Sequence, residues 1–209
     1  MNARAQKPES LSDFRNAHRF WDSRHDAWIT KVLPGDFYVS RSDEVISTVL
    51  GSCVAACIRD PVAQVGGMNH FLLPDVDTHK GTVASDSARY GGAAMEYLIN
   101  AIIKYGGRRD RLECKVFGGG NVMVSMTQSD VGSRNVDFVL RYLAREFIAI
   151  GAQDLGGDYA RKVLYWPMTG AVKMKALGNS ETVASVEKEF EYLKGLSRPK
   201  PNSGDIELF

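Results

Sequence analysis

The 209-residue chain predicts an α+β fold in one domain, and three observations carry that expectation. Strand-like stretches arrive in pairs joined by turn residues, which favours antiparallel or mixed sheets over a doubly wound parallel one. Two helical stripes lie between those pairs. The length suits a single domain that buries its own core without disulfides or a structural metal.

Residues 1–28 are polar and charged, yet hold Phe14, Phe20, Trp21 and Trp28. They predict a flexible N-terminal segment, its tip mobile and its aromatics docked. From Ile29 the texture turns β-branched and bulky, broken by the turn signal Pro34-Gly35-Asp36. Cys53–Ile58 and Val65–Leu73, joined around Asp60-Pro61, form the next hairpin. Over 86–105, Tyr90, Ala94, Met95, Leu98, Ile99, Ile102 and Ile103 keep a helical stripe that Gly106-Gly107 ends. Leu112–Phe117 is a strand running into Gly118-Gly119-Gly120. A second helix spans about 134–150, with Val136, Leu140, Leu143 and Phe147 on its apolar stripe. Arg161–Trp166 and Ala171–Leu177 flank Pro167–Gly170 as a hairpin. A last helix is expected at about 182–194, ahead of a mobile tail. The organisation is thus an N-terminal segment 1–28, a folded domain 29–180, and a C-terminal helix and tail 181–209.

The charge arithmetic narrows the function. Against 26 Lys+Arg stand 25 Asp+Glu, so no basic excess points to nucleic acid or an anionic membrane. No apolar run has the length of a membrane span and the first 30 residues lack a signal-peptide pattern, which makes a cytoplasmic setting the expectation. Three cysteines, Cys53, Cys57 and Cys114, are then free thiols, one of which can be chemically employed.

The chemistry-bearing stretch is Ser47-Thr48-Val49-Leu50-Gly51-Ser52-Cys53. A strand runs into Gly51, a residue able to take dihedrals barred to others, and Cys53 follows. Such a turn lifts the thiol from the sheet and aims backbone N–H groups of Gly51 and Ser52 at charge developing beside the sulfur. Hairpin pairing brings Cys53 opposite Phe71 or His70, and a thiol beside an imidazole is a nucleophile with its base. Three bland alternatives stand beside this reading. Cys53 and His70 can be two ordinary core residues, Cys53 can be a redox-sensing thiol, and Cys53, Cys57 and His70 can be partial metal ligands. Gly118-Gly119-Gly120-Asn121 lacks the Gly-Lys-Ser/Thr of a phosphate loop and reads as a turn or protein-contact loop.

The ordered set Leu50-Gly-Ser-Cys-Val54, Arg59-Asp-Pro61, Met68-Asn-His70, Leu73-Pro74, Phe117-Gly-Gly-Gly120, Ser133-Arg-Asn-Val136 and Asp154-Leu-Gly-Gly157 resembles the CheD family of chemoreceptor glutamine deamidases. The resemblance covers about residues 30–177. It implies a layered α/β/β sandwich like the catalytic domains of deamidating toxins. It implies hydrolysis of glutamine side chains on methyl-accepting chemotaxis receptors, with Cys53 as nucleophile and His70 as its histidine. The family's third member is a threonine six residues before the cysteine, which falls on Ser47, with Thr48 the alternative one residue on. No metal or organic cofactor is implied, and a protein substrate calls for an open, shallow site. A CheC-type phosphatase is the second partner implied, and a non-catalytic regulator of that phosphatase is the alternative function.

Overall fold

The computed structural model describes residues 6–73, 84–122, 131–178 and 191. Among them run β1 (Arg19–Asp22), β2 (Ala27–Lys31), β3 (Phe37–Ser40), β4 (Val45–Leu50), β5 (Val54–Asp60) and β6 (Val65–Asn69). They are followed by α1 (Ala84–Lys104), β7 (Glu113–Gly118), α2 (Val131–Arg145), β8 (Ala149–Leu155), β9 (Arg161–Tyr165) and β10 (Val172–Ala176). The strands form two mixed sheets, ordered β1-β2-β4-β9-β10 and β3-β6-β5-β7-β8. Only the β2–β4 and β7–β8 pairs are parallel. Both helices pack on one face of the second sheet, and the first sheet covers its other face. The fold is therefore an α+β sandwich with layers helix, sheet, sheet, as expected.

The middle layer explains the composition of its strands. β5, Val-Ala-Ala-Cys-Ile-Arg-Asp, is apolar almost throughout because both of its faces are covered. In β6 the period of two assigns each residue to a layer. A side chain on Gly67 would strike Leu98 of α1, whereas one on Gly66 would meet Tyr165 of β9. Asn69 bonds the Ala94 carbonyl of α1, and Phe71 stacks edge-on against Phe138 of α2. Residues 67, 69 and 71 thus face the helices, leaving 66, 68 and 70 for the first sheet. The β5–β6 turn is tied by buried Asp60. Its Oδ1 accepts from the N–H groups of Val62 and Ala63, and its Oδ2 from that of Arg108.

Three expectations meet the structure differently. The segment 1–28 contributes β1 and the first two residues of β2, so the boundary at 28/29 falls inside a strand. Phe14 is buried against Phe37 and Tyr38, with ring centroids 5.5 and 5.2 Å away. Arg19 of β1 reaches buried Glu44, which also accepts from Thr30, Tyr38 and Ser40. The helix expected over 134–150 ends at Arg145. Ile148 N–H bonds the Leu143 carbonyl and Phe147 N–H that of Ala144, a Schellman ending that puts Phe147 at φ 55°. Phe147 therefore leaves the apolar stripe and is 95% exposed, while Ile148 takes the buried place. The C-terminal helix and tail expected at 182–194 and beyond lie outside the described residues, Glu191 excepted. No helix among the described residues is long and apolar enough to cross a membrane.

At the equivalent position ending α1, glycine stands: Gly106, at φ 102°. Phe147→Gly is accordingly expected to raise stability by about 0.5–1 kcal/mol, because it relieves left-handed strain and removes no buried contact. Urea unfolding of the two proteins measures it.

Candidate active site

β4 belongs to the first sheet and β5 to the second, and Gly51-Ser52-Cys53 carries the chain from one to the other. Leaving both ladders deprives the three carbonyls of strand partners. Each is recovered from elsewhere: Gly120 N–H bonds the Gly51 carbonyl at 2.7 Å, the Asn135 amide bonds that of Ser52 at 2.8 Å, and Gly119 N–H bonds that of Cys53 at 2.7 Å. The residues from Cys53 onward then enter β5, with Val54 and Phe71 exchanging both backbone hydrogen bonds.

That register places Val54 opposite Phe71, hence Cys53 opposite Leu72 and His70 opposite Ala55. Cys53 and His70 share the face turned toward the first sheet, on a diagonal. The expected hairpin is present, with its register one to two residues from the expected opposition. From the first sheet, Thr48 Oγ1 lies 2.8 Å from His70 Nδ1 and donates to the Val32 carbonyl at 2.9 Å. The hydroxyl has one proton, and the carbonyl takes it. His70 must therefore supply the proton in the Thr48–His70 bond, which fixes the Nδ1–H tautomer and leaves the Nε2 lone pair bare. Nε2 is buried and has no hydrogen-bond partner among the described residues. Burial pushes the imidazole from 6.5 down to about 3, against a smaller upward pull from the Val32 carbonyl. His70 is thus a neutral base, its lone pair unengaged.

Ser47, the position matched to the family's threonine, sits on the other side of β4. Ile46 and Leu50 face the main core with Thr48, whereas Val45 packs with Ile29 and Leu164 on the outer face, the side Ser47 shares. The hydroxyl at the imidazole is Thr48's. Gly51 also departs from expectation. It stays outside the left-handed region, which Gly118 (φ 115°) and Gly119 (φ 66°) occupy instead. A Cβ on Gly118 would come within 2.1 Å of the Cys53 carbonyl oxygen, and one on Gly120 within 3.1 Å of that of Gly51. The glycine run is the clamp on the crossing, a role its sequence signalled only as a turn.

A second brace lies behind that clamp. Gly156 N–H bonds the Gly118 carbonyl and Asn121 N–H that of Gly157. Buried Arg161 holds 154–159 in place through the Asp154 carboxylate and the carbonyls of Asp154, Gly156 and Tyr159, and it stacks on the Tyr159 ring. The other two thiols are set apart from this chemistry. Burial pushes Cys57 well up, with Cys114 adding to it, and burial alone raises Cys114. Cys57 lines a different cleft with Arg59, Glu113 and Tyr165. The site is closed rather than open: Cys53, Thr48 and His70 are 0, 1 and 2% exposed.

Comparison with known proteins bears on this arrangement. The family profile described as "CheD chemotactic sensory transduction" matches residues 72–176, starting just after His70. The chain is 47% identical to a "Probable chemoreceptor glutamine deamidase CheD" of Saccharophagus degradans, over 99% of this chain and 96% of that one. It is 51% identical to a protein of the same description from Rhodopseudomonas palustris, over 97% and 95%. Among solved structures, the hypothetical protein YfiH of Bacillus licheniformis aligns at a TM-score of 0.37 with 11% identity, over 59% of this chain and 50% of that one.

Thr48→Val is expected to free the Nδ1–H of its acceptor, costing about 1–3 kcal/mol and raising the Nε2–H tautomer fraction in imidazole 15N spectra. Ser47→Ala is expected to leave the tautomer unchanged. The depressed histidine also sets a pH slope. Unfolded His70 binds a proton near 6.5 that the folded protein refuses until about 3, so stability is full above 6.5 and falls on acidification between those values. Unfolding free energy is expected to drop by about 1.4 kcal/mol per pH unit below 6, and His70→Gln to remove that slope. Denaturant titrations at pH 6.5, 5.5 and 4.5 measure both.

Proposed function

This chain belongs to the CheD family, and from that premise we propose that it hydrolyses glutamine side-chain amides of chemoreceptors to glutamates, with Cys53 as nucleophile, His70 as base and Thr48 as the group that orients the imidazole. The observation that carries the reading is the buried Nε2 of His70, held in one tautomer with its lone pair unpartnered among the described residues. A structural histidine would bond both of its nitrogens. An imidazole kept neutral and half-satisfied is suited to take a proton from a neighbouring sulfur.

On this reading the Cys53 sulfur attacks the amide Cδ while its proton passes to Nε2. The oxyanion is received by backbone N–H groups at Ser52 and Cys53. His70 hands the proton to the departing nitrogen, and ammonia leaves a thioester. Water then attacks, Nε2 takes its proton, and collapse releases the carboxyl group and restores the thiol. Thr48 and the Val32 carbonyl hold the ring as the third member of a triad does. Because Cys53 is fully buried, a substrate amide must displace covering atoms to reach it. The rival reading, a non-catalytic regulator of a CheC-type phosphatase, has no use for an imidazole prepared in this way. Such a phosphatase remains a second partner under the proposal, bound without need of the sulfur.

Mass spectrometry of receptor cytoplasmic fragments incubated with the protein is expected to show a gain of about 1 Da per modified glutamine. Cys53→Ala should abolish the gain and leave any phosphatase binding unaltered. Undiminished deamidation by Cys53→Ala would remove Cys53 from the mechanism.

A further inference from the structure

Among the fully buried polar side chains that the proposal above leaves unused, Asn135 is bonded to the crossing itself. Asn135 of α2 is 0% exposed, and its side chain makes two hydrogen bonds among the described residues, neither within its own helix. Its Nδ2 donates to the Ser52 carbonyl at 2.8 Å, and its Oδ1 accepts from Leu73 N–H at 2.9 Å. One amide therefore joins the crossing that carries Cys53 to the chain just past His70. Its place on a helix matters, because a position locked by helical backbone is a firmer reference than another loop.

The Ser52 carbonyl and the Cys53 N–H belong to the same peptide unit. A trans peptide is planar, and its C=O and N–H point in opposite directions. Pulling the Ser52 oxygen toward α2 therefore turns the Cys53 N–H away from α2, toward the face shared by Cys53, His70 and Thr48. The bond of Gly120 N–H to the Gly51 carbonyl fixes the Ser52 N–H by the same logic. That donor is oriented through a backbone bond, whereas the Cys53 N–H direction depends on a side chain.

We propose that Asn135 is a positioning residue for the oxyanion donor: by holding the Ser52 carbonyl it aims the Cys53 N–H at the oxygen that becomes charged when the Cys53 sulfur attacks. This rests on the deamidase reading and adds to it a residue that touches neither substrate nor the reacting atoms. Misaiming one donor weakens only the transition state, because the ground-state amide oxygen carries little charge. The loss therefore falls on kcat. Alkylation of Cys53 by iodoacetamide develops no oxyanion, so it reports the sulfur and its base without the donor.

The test compares wild type, Asn135→Ala and Asn135→Asp for deamidation of receptor cytoplasmic fragments and for iodoacetamide alkylation of Cys53, with thermal melting to confirm folding. Asn135→Ala is expected to lower kcat about 100-fold with KM and alkylation rate within about threefold of wild type. Asn135→Asp keeps the acceptor for Leu73 N–H and loses the donor at neutral pH. Protonation of its carboxyl on acidification restores a donor, so the ratio of its kcat to that of wild type should climb as pH falls, which loss of packing would not produce. A kcat for Asn135→Ala within threefold of wild type overturns the inference, as does a fall in alkylation equal to the fall in kcat. If Asn135→Ala does not fold, a pH-independent ratio for Asn135→Asp overturns it. Wild-type protein that deamidates nothing overturns the deamidase reading and this inference with it, an outcome distinct from an active wild type with an equally active variant.

Discussion

A chain that moves between two stacked sheets in three residues must find hydrogen-bond partners for carbonyls that no ladder can serve. In this protein the obligation falls on Gly51, Ser52 and Cys53, and it organises the surroundings. Burial makes it strict, since an unpaired carbonyl away from water costs as much as a lost hydrogen bond or more. The glycines after β7, the amide of Asn135 and the Arg161-braced segment 154–159 all answer that single requirement, directly or one contact removed. The same bonds that pair the carbonyls orient the N–H groups of the crossing. Under the proposed mechanism, structural necessity and transition-state electrostatics are met by one set of contacts.

The imidazole presents the complementary problem. His70 sits between the sheets with one nitrogen satisfied and the other not, an arrangement that costs stability for as long as it stands unpartnered. Charging the ring there is disfavoured by desolvation, and the single hydroxyl facing it cannot stabilise an imidazolium as a carboxylate would. Under the proposed mechanism, proton uptake by His70 is tied to the moment when a compensating negative charge forms nearby, and a neutral orienting group in place of an aspartate keeps the base idle until then.

Much of this was legible in the sequence. The two helices, the β5–β6 hairpin and the β9–β10 hairpin follow from periodicity and turn residues, and the hairpin is what puts Cys53 and His70 on one face. The choice between Ser47 and Thr48 was not. Spacing to the cysteine selects Ser47, whereas the side facing the imidazole is decided by strand parity between two sheets that sequence order does not relate. The clamp was equally hidden. Gly118–Gly120 and Asn135 are local signals of a turn and of an ordinary helix position, and their purpose exists only once distant segments meet. The end of α2 misled because Phe147 continues the apolar stripe, while backbone capping by Leu143 and Ala144 turns it outward.

The bond from Asn135 to Ser52 spans 83 residues of chain. On the ribosome, Cys53 and His70 emerge together with their hairpin, long before α2 and the segment 154–159 exist to brace the crossing. Long-range closure of this kind is slow compared with local hairpin formation. A nascent chain therefore carries its sulfur and its histidine early, but without the geometry that would make them a pair. Under the proposed mechanism, chemical competence is a late property of the completed domain, acquired only once the crossing is braced.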